Sequence, residues 1–356
     1  MQGKQAHSLH KHLSPKPQVA AAVRKSPATP APEPPAQPKL TKSGPDFKIT
    51  QADAEIRRDY IYEEYAIIVP KRHDRPFDFR GDDHPLIETA SSPHLDDQKT
   101  LDELESPLGG WPVKVVENKY PAISLDTSKS YGEQELVVDT PLSNLPPGKL
   151  SVESMQDVLR MYQQRIRKLS ALPHIKYVQV FKNDGHHAGA SLAHAHTQIF
   201  ALPLVPPRYQ VRAQAAQAYW SSKHSDPFED IIAYEQREQK RIIDENKTLL
   251  CFSPYASGWP LEAWIVPKRN MQSFALCSQE ETKDIANTLL KLLHKLNSNG
   301  INYNFYIEQG LNEHQRWVLK IIGREVVSPL GGLEVSTGIM MNTIPPEAAA
   351  SWYKAR

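Results

Sequence analysis

Residues 183–198 read Asn-Asp-Gly-His-His-Ala-Gly-Ala-Ser-Leu-Ala-His-Ala-His-Thr-Gln, a stretch that holds an amide, a glycine-flanked loop, a hydroxyl and two alternating imidazoles. The apolar run Ile199-Phe-Ala-Leu-Pro-Leu follows, so the His-x-His-x-Gln portion is expected to enter a strand. Successive strand side chains point to opposite faces, which would place His194, His196 and Gln198 on one face. Two imidazoles and an amide beside a Gly-Ala-Ser turn suit the handling of a phosphoryl group. An imidazole attacks phosphorus, while amide, hydroxyl and backbone N–H donors hold the oxygens that gain charge. His-x-His alone serves equally as a metal-ligand pair or as polar strand decoration. Ser191 alone suits the closing of a tight turn. The whole stretch is more specific than its parts, because Asn183, Ser191 and Gln198 are each chemically useful at their spacing.

This stretch resembles the active-site motif of the galactose-1-phosphate uridylyltransferase family, the nucleotidyl-transferring branch of the histidine-triad superfamily. That branch reads approximately Asn-x-Gly-x-x-x-Gly-x-Ser-x-x-His-x-His-x-Gln, and the spacing is met here without a gap. The Ala-Leu-Pro-Leu-Val-Pro-Pro segment after it looks like the ADP-glucose phosphorylase type. Further elements are similar in the family order: the opening strand from Ile56 through Arg72-His-Asp-Arg75-Pro, then Trp111-Pro-Val-Lys-Val-Val-Glu-Asn118, then Pro254 to Glu262, then Gly331-Gly-Leu-Glu334 onward to Pro345.

The resemblance implies roles for these residues. His196 would be the nucleophile, forming a nucleotidyl-histidine and releasing a sugar 1-phosphate; its second ring nitrogen then needs an acceptor such as a backbone carbonyl. Gln198 and Ser191 would donate to the non-bridging phosphate oxygens, with Asn183 positioning the loop or phosphate. Arg72 and Arg75 would clamp the diphosphate or sugar phosphate. Asn118 is a nucleoside-contact candidate, and Glu334 a candidate acceptor for a hexose hydroxyl or else an ordinary exposed carboxylate.

Departures from the family pattern bear on metal. Many members hold zinc with a Cys-x-x-Cys pair, a downstream His and the first His of the motif. Residues 80–94 contain no cysteine, and Gly132-Glu-Gln-Glu135 and Thr140-Pro-Leu-Ser-Asn stand where Gly-x-His-Glu and Thr-Pro-x-His are usual. Structural zinc takes four good ligands, and only His194 survives clearly, so no zinc and no other cofactor is expected. An improvised site from His84, His94 and His194 is the weaker alternative. Without metal, His194 becomes a group that orients the loop.

The elements around the motif predict an α+β fold, and the resemblance implies two histidine-triad-like half-barrel units with antiparallel sheets flanked by helices. Ser151 opens a helix in which Met155, Val158, Tyr162, Ile166 and Leu169 keep helical spacing. Asp226-Pro227 is an N-cap with Pro at the first helical position, opening a polar helix toward Asn246. Ser278-Gln-Glu-Glu281 is a capping box ahead of Ile285, Leu289 and Leu292. Residues 175–181, 249–252 and 263–267 read as strands. Tyr65-Ala-Ile-Ile-Val-Pro-Lys-Arg and Ala263-Trp-Ile-Val-Pro-Lys-Arg are similar, which suggests that one order recurs in both halves. The second copy carries Glu313 to Lys320 where the first carries the His motif, so one nucleophile per chain is expected. The expected domains are a disordered Pro-rich tail over 1–50, a catalytic unit over 51–210 and a second unit without the His motif over 211–356.

Composition sets the outer bounds. A chain of 356 residues with 40% hydrophobic content can bury a sizeable core. A formal charge of +1 offers no global field for nucleic acid or membrane surfaces. No apolar run is long enough to span a bilayer and the N-terminus has no signal-peptide core. Cys251 and Cys277 form no paired framework, which fits a reducing cytoplasm. The leading expectation is transfer of uridylyl between UDP-glucose and a hexose 1-phosphate such as galactose 1-phosphate. The alternatives are an ADP-glucose or dinucleotide phosphorylase using inorganic phosphate, a non-catalytic nucleotide-sugar sensor, and a metal-binding role through His-x-His. Family members are often dimers, which leaves a homodimer as an open expectation.

Overall fold

The computed structural model describes residues 55–58, 65–68, 95, 98–105, 112–324 and 331–355. The Pro-rich tail, Arg72, Arg75, His84 and His94 lie outside the described residues. In chain order, β1 (Glu55–Arg58) and β2 (Tyr65–Ile68) pair as a two-stranded antiparallel sheet. There follow β3 (Thr100–Glu103), β4 (Lys114–Glu117), β5 (Glu133–Val138), helix α1 (Val152–Ser170), β6 (Tyr177–Asp184) and β7 (His196–Leu202). Two helices, α2 (Pro207–Lys223) and α3 (Pro227–Glu238), lead to β8 (Ile242–Glu245), β9 (Leu249–Phe252) and β10 (Ala263–Pro267). The chain continues with α4 (Gln279–Ser298), β11 (Tyr303–Glu308), β12 (Val318–Gly323), α5 (Gly332–Thr337) and α6 (Pro346–Lys354).

Ten of these strands form one antiparallel sheet in the order β3-β4-β5-β7-β6-β11-β12-β10-β9-β8. Read inward from either edge, both halves run first, second, third, fifth and fourth strand. They meet where β6 pairs with β11. The α+β expectation of two related units sharing a sheet system therefore matches the architecture. The elements that repeat differ from those the sequence suggested. By sheet position the counterpart of β10 is β5, whereas β2 pairs with β1. A short apolar run closed by Pro-Lys-Arg encodes where a strand stops, not where it sits in a sheet.

One face of the sheet is covered by α1 and α4. Ser151 caps α1 by accepting from Ser154 N, and the buried residues of α1 are the apolar stripe expected from its spacing. Ser278 and Glu281 form the capping box of α4, as its sequence predicts. Val137, Val180, Ile199, Ile265, Ile307 and Ile321 meet these helices in one core that draws on both halves. Each such fully buried aliphatic side chain contributes roughly 1.5–3 kcal/mol.

Helix α3 stops earlier than its polar sequence suggested. Asp226 caps it by accepting from Phe228 N and Glu229 N, as expected. Gln239 then turns left-handed at φ 56° and donates its N–H to Glu235 O, which ends the helix. Ile242 and the residues after it pair with β9. Tertiary pairing has overridden a helical pattern that polar residues specify only weakly.

Candidate active site

Strand alternation sorts the opposite face of the sheet. Cross-strand pairing aligns Leu136, Gln198, Phe181, Tyr306, Lys320 and Trp264 in one row. His196 and Gln198 share this face in β7, about 7 Å apart along the strand. The strand begins at His196, so His194 lies just outside the alternation that the sequence had extended to it. The His194 ring is instead held by the carbonyl of Thr140, 2.7 Å from its Nε2.

His196 is buried, and its Nδ1 lies 2.8 Å from the carbonyl of His194. A carbonyl only accepts, so Nδ1 carries the proton and the Nε2 lone pair is left for chemistry. No described residue hydrogen-bonds Nε2. Burial, and next the Lys182 charge, pull this imidazole from its usual 6.5 down to about 4. It is therefore neutral across the physiological range. The pH dependence follows directly. For kcat/KM, no acid limb from His196 is expected near 6.5; loss sets in only as pH falls toward 4, where protonation removes the lone pair. A limb near 6.5 that vanishes in His196→Asn would contradict this placement.

Behind the ring, on the helix-covered side, is a polar network that the sequence did not reveal. Lys182 of β6 donates to Asp139 Oδ2 at 2.7 Å and to the His196 carbonyl at 2.8 Å. Thr197 Oγ1 donates to Asp139 Oδ1 at 3.3 Å, and Tyr162 OH lies 2.6 Å from Thr197 Oγ1. Both charged side chains of the Lys182–Asp139 pair are buried, at 1% and 2% exposure. Through Lys182 the pair also holds the backbone of His196.

The loop preceding β7 is shaped by two glycines. Gly185 has φ +85°, and a Cβ there would stand 2.2 Å from the Asn302 side chain. Gly189 has φ +85° as well and closes the short 3-10 turn formed by residues 186–188. Asn183 donates through Nδ2 to Gly189 O at 3.3 Å, so its described contact holds the loop. Asn304, its register partner on β11, donates one amide group to Asn183 Oδ1 and to Ala188 O, both at 2.8 Å. Asn302 Oδ1 accepts from His187 N at 2.9 Å. Two asparagines alternating within Ile301-Asn-Tyr-Asn-Phe-Tyr-Ile were the available signal for these anchors, since amides in an apolar strand need partners. Ser191 follows in the loop, half-buried, and its hydroxyl bonds to no described residue.

The other candidates make their described hydrogen bonds locally. Asn118 directly follows β4, with its Oδ1 accepting from Tyr120 N at 2.9 Å. Glu334 accepts from Gly331 N at 3.1 Å, capping its own short helix. No described contact joins either to His196. In the second half of the sheet, Lys320 takes the place in the row that Gln198 holds in the first. It donates to Glu308 Oε2 at 2.6 Å and lies 4.2 Å from the Trp264 ring centroid. Arg316 is buried against Asp226 at 3.0 Å. The described residues of β12 thus offer an ion pair where β7 offers the Gln198 amide, and Val318 stands at the place of His196.

Among the described residues no three His, Cys, Asp or Glu side chains are grouped to hold a metal. His194 already directs Nε2 to Thr140 O.

Residues 112–206 match the model of the galactose-1-phosphate uridyl transferase N-terminal domain, and residues 212–354 match that of its C-terminal domain. ADP-glucose phosphorylase of Arabidopsis thaliana is 28% identical over 86% of this chain and 94% of its own length. Galactose-1-phosphate uridylyltransferase of Thermotoga maritima is 26% identical over 66% of this chain and 81% of its own length. A crystal structure of the Arabidopsis thaliana ADP-glucose phosphorylase with bound ADP-glucose superposes with a TM-score of 0.68 at 26% identity. It covers 85% of this chain and 99% of that one.

Proposed function

Because this chain belongs to the galactose-1-phosphate uridylyltransferase family, we propose that it transfers a nucleotidyl group from a nucleoside diphosphate sugar through a covalent adduct on His196. The observation that carries the proposal is the Nδ1–H given to the His194 carbonyl, with Nε2 bonded by no described residue. Nε2 attacks the α-phosphorus; an N–P bond forms as the P–O bond to the sugar phosphate breaks, and the sugar 1-phosphate leaves with the electron pair. The ring's developing positive charge is met by the His194 carbonyl. Gln198 Nε2 and the Ser191 hydroxyl donate to the non-bridging oxygens, each such donor being worth roughly 3 kcal/mol of barrier. A phosphate oxygen of the acceptor then attacks phosphorus, the N–P bond breaks and the neutral imidazole returns.

UDP-glucose as donor and a hexose 1-phosphate as acceptor form the leading reading. A second reading, phosphorolysis of ADP-glucose by inorganic phosphate, is favoured by the near full-length similarity to the plant phosphorylase. Protein incubated with UDP-glucose or ADP-glucose labelled in the α-phosphate, then challenged with galactose 1-phosphate or inorganic phosphate, separates them. The acceptor that discharges the label and gains it as product identifies the reaction. A sensor without catalysis would take up no label from any nucleotide sugar.

Arg72 and Arg75 complete the reading as the phosphate clamp, Asn118 as a nucleoside contact and Glu334 as a hexose contact. The exposed apolar side chains of Val335, Ile339 and Met341 around Glu334 suit burial against a second copy of the chain in a homodimer. No helix among the described residues is long and apolar enough to cross a membrane. Two buried unpaired thiols and a formal charge of +1 support a cytoplasmic protein with no nucleic-acid partner. A metal-independent site is part of the proposal. Chelator-treated protein is expected to keep full turnover, and metal analysis to give well under one equivalent of zinc; one tightly held equivalent would overturn this.

A further inference from the structure

We infer that Gln134 is a positioning residue that decides which end of the Gln198 amide faces the reacting phosphate. The inference deepens the nucleotidyl-transfer reading and rests on it. The sequence marks position 134 only as a departure from the Gly-x-His-Glu pattern. The fold puts it to use on the site face of β5, where Gln134 pairs with Phe200 and lies diagonal to Gln198. Gln134 is buried, at 1% exposure. Its Oε1 accepts from Ala122 N at 2.7 Å, and its Nε2 donates to Gln198 Oε1 at 3.1 Å.

The direction of this relay follows from one fixed donor. A backbone N–H cannot accept, so the Gln134 atom facing Ala122 must be the oxygen. The atom facing Gln198 is then the Gln134 NH2, which requires the Gln198 oxygen. What Gln198 has left is its NH2, bonded to no described acceptor and available to phosphate oxygens. A primary amide is nearly symmetric in shape, so packing alone would not choose between its two ends. Turned over, Gln198 would present a carbonyl to an anion and repel it. The relay makes Gln198 a donor before substrate arrives, which is the preorganisation that electrostatic catalysis needs.

Gln134→Glu tests this with little change in shape. An ionised carboxylate still accepts from Ala122 N, yet offers a second acceptor toward Gln198, whose NH2 must turn to meet it. We expect kcat to fall roughly 100-fold at pH 8, comparable to the loss of one oxyanion donor. A protonated carboxyl can donate to Gln198 Oε1, so the deficit should shrink as pH is lowered through its titration. In a Gln198→Ala background the same substitution should cost nothing further, in kcat or in affinity for UMP. If Gln134→Glu does not fold, Gln134→Met takes its place in the cycle, with a several-fold loss expected only when Gln198 is present. Equal losses in both backgrounds, or full activity of Gln134→Glu at pH 8, would overturn the inference. UMP affinity needs no turnover, so the cycle can be read even in protein that takes up no label, a result that counts against the covalent reading alone.

Discussion

Replacing His196 with Asn is expected to lower turnover by roughly 10⁴-fold or more, the scale seen when a covalent nucleophile is removed from an otherwise intact site. The side-chain amide of Asn can still donate to the His194 carbonyl, so the local backbone need not move. What is lost is the Nε2 lone pair and with it the first displacement. Nucleotide-sugar affinity should change only a few-fold, since Gln198, Ser191 and the loop remain. Steady-state kinetics combined with calorimetric binding would show the split. A variant that keeps a tenth of wild-type turnover would place the nucleophile elsewhere.

The second large effect concerns stability. Lys182→Met is expected to cost roughly 3–5 kcal/mol, the usual penalty for stranding one member of a buried ion pair. It leaves the Asp139 carboxylate buried, with the long contact from Thr197 Oγ1 as its remaining hydrogen bond from a described side chain. Adding Asp139→Asn should recover most of that loss, because the stranded charge is gone. Urea denaturation of the single and double variants measures both. A loss below about 1 kcal/mol, typical of exposed pairs, would contradict a buried role. The catalytic readout has a defined sign as well. Lys182 holds the His196 pKa down, so removing that charge should move the acid limb of kcat/KM upward in pH.

The candidate residues of the site were more legible in the sequence than the groups that support them. His196, Gln198, Ser191 and Asn183 announce themselves because their residue types and spacing lie within sixteen consecutive positions. The need of His196 for a backbone acceptor is a property of imidazole, and the His194 carbonyl meets it. The supporting groups are remote in sequence: Gln134 is 64 positions from Gln198, and Asn304 is 121 from Asn183. Nothing local indicates such pairs; they follow from the register of β5 with β7 and of β6 with β11. Lys182 reads as a surface lysine in an alternating strand until the helix-covered face is known. Element ends were lost for a similar reason. Helix α3 ends at Glu238, where the following segment turns to pair with β9, and β7 opens at His196, the residue paired with Val138 at the end of β5.

One measurement bears most directly on the account. Protein held with a nucleotide sugar in the absence of acceptor, then digested under mildly alkaline conditions, should yield a peptide containing His196 that is heavier by one nucleoside monophosphate. The adduct should be stable to base, lost in acid, and discharged by the productive acceptor. The same modification on another side chain, or turnover with no adduct formed at any nucleotide-sugar concentration, would contradict it.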